Sequence, residues 1–402
     1  MNPSAKGWIP KILTTLDKQQ IITNSESLML FYNQLKSTGF LYGNSSEILI
    51  SSTPSNLNLT KNESTKINLF QSLLFIFFKK KPDENIYTAI DHIILFYKRL
   101  DKSKLGFLYK FSTSEKATEN LEQILGERIQ ETNSFFNKKY NSIFTYTLLF
   151  IDILAFNKFL SFNNDYKIFI EDLEKDLINL SFLALNSKKI KDKSDKQMIK
   201  QIENSSVYLN LQYHKNDFLS LANLDFLNYN NLEKKYLFDI SFFAVWNDKE
   251  LDQMEHSFLI KLADKLQLSP LQIKENIDYI NTFSEKYSKK IKLFEYQNPL
   301  NHIYKESTST VKLLIERNKK RLLLELNESG ELLKLLSQST YRELTKDEKI
   351  KVKEQLLDIC KTIPSLTIFL IPGGSLLLPI LIKYIPSLLP SAFNENKIDS
   401  KS

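Results

Sequence analysis

At 402 residues, with 42% hydrophobic and 25% charged positions, the chain is long enough for two or three domains with cores of their own. A single cysteine, Cys360, excludes an internal disulfide framework, and only 8 glycines leave little room for phosphate-cradling loops. The net charge of +7 comes from lysines scattered among nearly as many acids, which describes a solvated surface and gives no indication of DNA binding.

The predicted elements are helical from the start. The opening residues lack the positive start, apolar core and small-residue cleavage site of a secretory signal, so export is not expected. Trp8, Ile9, Ile12 and Leu13 suit a short docked helix. A helix is predicted over 20–38, carrying Ile21, Leu28, Leu30, Phe31 and Leu35. Residues 42–65 read as a polar loop with a weak strand at 48–50. Ile67–Phe78 is intensely apolar but only 12 residues long, which favours a buried helix over a membrane span. Further helices fit 84–100, 115–139 and 142–160. In the last of these Asp152 sits inside the apolar run, where a carboxylate is costly in lipid, so a core helix is expected. The densest basic block, Lys188, Lys189, Lys191 and Lys193, reads as an exposed loop, with attraction to anionic lipid or RNA as the lesser option. The alternation at Val207, Leu209, Leu211 and Tyr213 allows a second weak strand.

Residues 233–283 form a more definite helical unit. An apolar helix face ending at Trp246 is followed by an acidic turn, and a second helix continues through Phe258, Leu259, Leu262 and Leu266. This order resembles the tellurite-resistance TerB-like helical domain. Within the turn, Asp248, Glu250 and Asp252 alternate and could present oxygens to Ca²⁺ or Mg²⁺. An EF-hand would require glycine where Gln253 stands and a bidentate glutamate where Leu259 stands. Asp252 with Glu255 three residues on also reads as a helix cap, which needs no ion.

Downstream, Val311–Leu336 is leucine-rich with a break expected near Asn327 and Gly330, and Thr345 with Glu348 forms a capping box. The helix it opens places Val352, Leu356, Ile359 and Ile363 on one face, and Cys360 reads as a small buried hydrophobe. Then come 21 consecutive uncharged residues, Thr362–Ile382, close to the length of a bilayer-spanning helix. Pro364, Pro372 and Pro379 interrupt them and Gly373-Gly374 follows Pro372, so a kinked segment or two short helices are expected.

Pro372, Leu377-Leu378-Pro379, Lys383, Pro386, Leu389-Pro390 and Phe393, with Leu335-Leu336 and Leu344-Thr345 upstream, resemble in order and spacing the membrane region of the LETM (leucine-zipper/EF-hand transmembrane) family. The resemblance covers roughly residues 310–395. It implies an inner-membrane setting and links to cation/proton exchange or to ribosome binding. It also implies a hinge at Pro372, Gly373, Gly374 and Pro379, an interfacial anchor at Lys383, and an exit shaped by Pro386 and Pro390. Two departures stand out. Ser375 occupies a place where the mitochondrial family carries an acid, the expected carrier for coupled ion movement. The family's ribosome-binding region lies mostly after the membrane segment, whereas this chain stops at Ser402.

The four histidines, His92, His214, His256 and His302, are far apart, and no dinucleotide fingerprint or nucleophile elbow occurs, so no enzyme and no small-molecule substrate are expected. The expectation is therefore an all-α, multi-helical protein: a helical region over 1–200, a TerB-like domain over 201–300, and a LETM-like domain over 301–402 containing the hydrophobic segment 362–382. Expected partners are membrane lipid and the ribosome or another protein, on the cytoplasmic side of the inner membrane. No cofactor is expected beyond Ca²⁺ or Mg²⁺ at the acidic turn. The alternative is a cytoplasmic scaffold whose C-terminal segment is buried in protein.

Overall fold

In a computed structural model the described residues are 2–43, 45–51, 58–100, 114–132, 147–161, 165–191, 195–196, 199, 202, 220–246, 251–269, 271–287, 299–339, 342, 344–363, 366, 381–382 and 384–385. They form fourteen α-helices and two 3₁₀ turns, and no strand. The fold class is all-α and multi-helical.

The chain divides into two compact units, a larger one of Ile9–Pro54 with Lys61–His302 and a smaller one of Met1–Trp8, Ser55–Thr60 and Ile303–Ser402. In the larger unit the helices are α1 (Trp8–Leu13, straddling the boundary), α2 (Lys18–Thr23), α3 (Leu28–Ser37), α4 (Lys61–Lys80), α5 (Ile86–Leu100), α6 (Ser114–Thr132) and α7 (Leu149–Leu160). They continue with α8 (Tyr166–Ser187), α9 (Asn231–Val245), α10 (Gln253–Lys265) and α11 (Leu271–Tyr287). The smaller unit holds α12 (Pro299–Glu328, its first turn across the boundary), α13 (Gly330–Gln338) and α14 (Lys346–Thr362).

Helix α4 is the hub of the larger unit. It packs against α2, α5, α6 and α7, and every residue from Ile67 to Phe78 is buried. A helix apolar on all sides belongs inside. Two of its buried amides explain why the expected strand at 48–50 does not form. Asn68 Oδ1 accepts the Leu49 N–H at 2.8 Å, and Asn68 Nδ2 donates to the Glu47 carbonyl at 2.9 Å. Gln71 accepts the Ile50 N–H at 3.0 Å and donates to its carbonyl at 3.1 Å. Side chains of one helix thus satisfy a backbone that otherwise needs a partner strand. The other weak strand lies outside the described residues, apart from Ile202, which is helical.

The single helix expected over 20–38 is two. Ser27 Oγ accepts the Leu30 N–H at 3.2 Å and starts α3, while α2 ends at Thr23. A serine that can cap a new helix competes with continuing the old one. Gly39 follows α3 in the left-handed region, at φ 82°, where a glycine is favoured. In the basic block Lys189 is exposed in a loop as expected and Lys193 lies outside the described residues, but Lys188 departs from that expectation. Lys188 is buried and pairs with Asp195 at 2.9 Å, and Lys191 donates to the Asn186 and Lys188 carbonyls at 3.0 and 2.8 Å. The block therefore satisfies carbonyls at the end of α8.

Asp152 confirms the core reading of α7. It is fully buried and takes a two-pronged bond from Arg128 of α6, at 2.9 and 2.8 Å, with Tyr97 Oη donating at 3.1 Å. A second buried carboxylate, Asp239 of α9, joins three helices. Tyr32 and Lys36 of α3 donate to Oδ2 at 2.7 and 2.9 Å, Asn276 of α11 donates to Oδ1 at 2.6 Å, and Lys36 donates also to Asn276 at 2.8 Å. Lys235 lies 3.7 Å from Oδ2. Burial pushes the Asp239 carboxyl up, but the Lys36 and Lys235 ammonium groups and the hydrogen bonds outweigh it, leaving the group below its ordinary value.

Asp239→Asn removes the charge facing buried Lys36 and should cost about 3–5 kcal/mol in urea unfolding at neutral pH. A depressed pKa stabilises above the ordinary carboxylate range and loses that contribution as pH falls through it. The wild type should therefore lose stability on acidification more steeply than the variant; parallel curves would count against the network.

Candidate functional site

The C-terminal unit presents the residues that the sequence singled out most strongly. Thr345 starts α14 as expected: its Oγ1 accepts the Glu348 N–H at 3.3 Å, and Glu348 Oε2 accepts the Thr345 N–H at 2.8 Å. Arg342 grips the same carboxylate through both terminal nitrogens at 2.8 and 2.7 Å. Those Arg342 hydrogen bonds, then the cap amide, hold the Glu348 carboxyl down at about 2. The entry to α14 is thus fixed by one carboxylate that serves a cap and an arginine together.

Inside, Val352, Leu356, Ile359 and Cys360 of α14 are buried with Val311, Leu314, Ile315, Leu322 and Leu326 of α12 and Leu332 and Leu336 of α13. Burial pushes the Cys360 thiol up to about 12, which suits a packing role and not a nucleophile. Outside, Lys346, Lys349, Lys353 and Glu354 are exposed, and so is Ile350, a large apolar side chain at 53% exposure. Lys351 reaches Glu331 of α13 at 2.7 Å and Lys361 reaches Asp358 at 2.6 Å. Lys346, Lys349 and Lys353 follow helical spacing and form one basic edge.

Of the uncharged tract, the described residues are Thr362, Ile363, Leu366, Leu381 and Ile382. The proposed hinge and anchor residues Pro372, Gly373, Gly374, Pro379, Lys383, Pro386 and Pro390 lie outside the described residues, as does Ser375. No helix among the described residues is long and apolar enough to cross a membrane, a statement that does not reach residues 367–380.

At the acidic turn, Asp248 and Glu250 lie outside the described residues. Asp252 is the N-cap of α10. Its Oδ1 accepts the Met254 and Glu255 N–H groups at 2.7 and 2.8 Å, its own N–H donates to Glu255 at 2.8 Å, and Oδ2 accepts the Lys189 N–H at 3.2 Å. The amide of Glu255 first, against slight burial, and then those of Lys189 and Met254 hold its carboxyl below the ordinary value. Among the described residues no three acids, histidines or cysteines converge as a metal-holding group.

The structure also brings together polar groups that spacing did not reveal. Tyr229 donates to Asp176 of α8 at 2.8 Å, and burial raises that carboxyl to about 6. Lys158 pairs with Glu233 at 3.2 Å and sits 4.2 Å over the Phe169 ring. The Tyr229–Asp176 and Lys158–Glu233 partners lie tens of residues apart in the chain, beyond the reach of a local pattern.

A family model described as "LETM1-like, RBD" matches residues 344–402. The match opens at the Leu344-Thr345 helix start, before the uncharged tract and not after it. It covers about a seventh of the chain and is to a LETM1-like ribosome-binding domain. No curated protein and no solved structure matches.

Asp252→Ala should lower stability by about 1 kcal/mol, the usual worth of an N-cap. Thermal unfolding with and without millimolar Ca²⁺ separates cap from ion: the same loss in both, with no calcium shift in the wild type, leaves the turn a cap alone.

Proposed function

We propose that this chain is a non-enzymatic docking protein of LETM type whose C-terminal unit binds the ribosome at a membrane surface. The observation that carries the reading is the ribosome-binding-domain match over 344–402, which begins at a rigidly capped helix. The outward edge of that helix supports it, because Lys346, Lys349, Lys353 and the exposed Ile350 offer charge and apolar surface side by side. Ribosomes present dense phosphate, for which such an edge is electrostatically suited. The larger unit, including the TerB-like helices α9–α11, serves in this reading as a scaffold.

Placement on the cytoplasmic side of an inner membrane is part of the same proposal and rests on the uncharged tract. Ion exchange is the weaker branch. Ser375 offers no carboxylate to carry a proton, so the chain would need a polar path from elsewhere.

A second reading, a scaffold whose tract is buried in protein, is favoured by the burial of Ile363, Leu366, Leu381 and Ile385 in the C-terminal core. Flotation on vesicles of anionic phospholipid distinguishes the two, since only the first predicts co-flotation that survives high salt.

Purified full-length protein should co-sediment with ribosomes at low salt and be released as salt rises. The variant Lys346→Glu/Lys349→Glu/Lys353→Glu should bind about tenfold more weakly, from roughly 1 kcal/mol or more of lost attraction. Absence of wild-type co-sedimentation at low salt would remove the ribosome from the proposal. Unchanged binding by the variant would move the contact off this edge.

A further inference from the structure

Helix α12 carries a basic surface of its own, outside the residues 344–402 that match the ribosome-binding family model. Its buried stripe faces the cluster shared with α13 and α14. Away from that stripe, Lys312, Glu316, Lys320 and Leu324 follow one another at four-residue steps and form a single row, with Lys319 beside it. All five are exposed, Leu324 to 64%. Glu316 is the one acid of the row, and neither Lys319 nor Lys320 forms an ion pair among the described residues.

The two arginines of the same stretch are committed to the protein. Arg317 Nη2 donates to Asn2 Oδ1 at 2.9 Å, and Arg321 Nη2 donates to the Thr362 carbonyl at 2.7 Å. A free guanidinium fork grips single phosphates through paired bonds, whereas an ammonium is a point charge that suits a diffuse negative surface. What α12 turns outward is therefore ammonium charge beside one large aliphatic side chain.

The neighbours of this face indicate which negative surface it fits. Thr362, which opens the uncharged tract, is held by Arg321, and Tyr384, just beyond its end, lies 4.6 Å beneath the Lys312 ammonium. A helix with cations and a leucine on its outer face, bordered by apolar sequence, has the make-up of an interfacial helix. Its cations sit among anionic headgroups and its aliphatic groups at the acyl boundary.

We propose that the outer face of α12 is a contact surface for anionic phospholipid, with Lys312, Lys319 and Lys320 meeting headgroup phosphates and Leu324 entering the apolar boundary. The assignment rests on the membrane-surface part of the function proposed above and needs neither the ribosome nor the α14 edge. Lys346, Lys349, Lys353 and Ile350 of that edge are similar in composition, but they lie within the ribosome-binding match and α12 does not.

The test is co-flotation of the purified full-length protein with phosphatidylcholine vesicles, with and without phosphatidylglycerol, alongside ribosome co-sedimentation. At low salt the wild type should prefer the anionic vesicles by about tenfold or more. Lys319→Glu/Lys320→Glu should lose about tenfold or more on anionic vesicles, with ribosome co-sedimentation and the thermal midpoint unchanged. Should that variant fail to fold, Lys319→Gln/Lys320→Gln reads the same loss without reversing charge. Leu324→Ser should weaken flotation at low and high salt alike, because its contribution is not electrostatic. Equal binding of the wild type and the lysine variant to anionic vesicles overturns the proposal and leaves the membrane-surface reading standing; so does a wild type indifferent to phosphatidylglycerol. A wild type that floats with no vesicle overturns both. Loss of ribosome co-sedimentation with vesicle binding retained assigns the face to RNA and also overturns the proposal.

Discussion

The constraint on which the C-terminal unit depends is the apolar cluster that α12, α13 and α14 build together. Helix α12 supplies Val311, Leu314, Ile315, Leu322 and Leu326, spaced so that one stripe meets the Val352, Leu356 and Ile359 face of α14. A helix as short as the nine-residue α13 does not hold its shape alone; the shared apolar cluster holds it. The polar devices act at the edges of that cluster. Arg342 and Glu348 fix where α14 begins, and Lys351 with Glu331 ties it to α13. Solvent screens such exposed ion pairs, so they set register and direction more than stability.

The larger unit solves a different problem, that of keeping carboxylates inside a core of rings. Asp152 and Asp239 are each completely buried, yet each faces a cation and a tyrosine hydroxyl. Such pairs seldom add net stability over apolar residues of equal volume, but removing one partner strands the other. Their geometric effect is clear. Asp239 cannot be satisfied unless α3, α9 and α11 arrive in one register, and Asp152 requires α5, α6 and α7 likewise. In a core otherwise filled with interchangeable phenylalanines, these two sites specify which helix lies beside which.

Much of this was legible from residues alone, and the boundary of legibility has a physical origin. Patterns local in sequence survived: the all-helical class, the buried run at Ile67–Phe78, the break near Gly330 and the caps at Asp252 and Thr345 all depend on neighbours within a few positions. Errors arose where tertiary partners replaced local ones. The segment at 48–50 looked like a strand because its backbone needed pairing, and Asn68 and Gln71 supplied it from a helix. Lys188 looked solvated like its neighbour Lys189 because its partner Asp195 could not be seen from composition. In the candidate site, the capped basic helix was readable. The shared burial of Leu366 and Leu381 was readable only as the alternative of a segment buried in protein, because the cluster draws on three separate helices.

The energetics of the uncharged tract follow from that shared burial. Fully burying a leucine or isoleucine side chain is worth about 1.5–3 kcal/mol, so Ile363, Leu366, Leu381 and Ile385 together contribute about 6–12 kcal/mol as an upper figure. An entire domain is stable by about 5–15 kcal/mol. Detaching one flank would therefore remove about 3–6 kcal/mol of core energy, a large share of such a stability, and it would also break that flank's contact with α12, through Arg321 upstream or Lys312 downstream. Apolar side chains drawn from the core into lipid would recover part of the loss, but an intact α12–α14 cluster would no longer accompany them. The described flanks and the basic helix thus share one core, and the edge carrying Lys346, Lys349 and Lys353 is held in a fixed relation to Leu366 and Leu381.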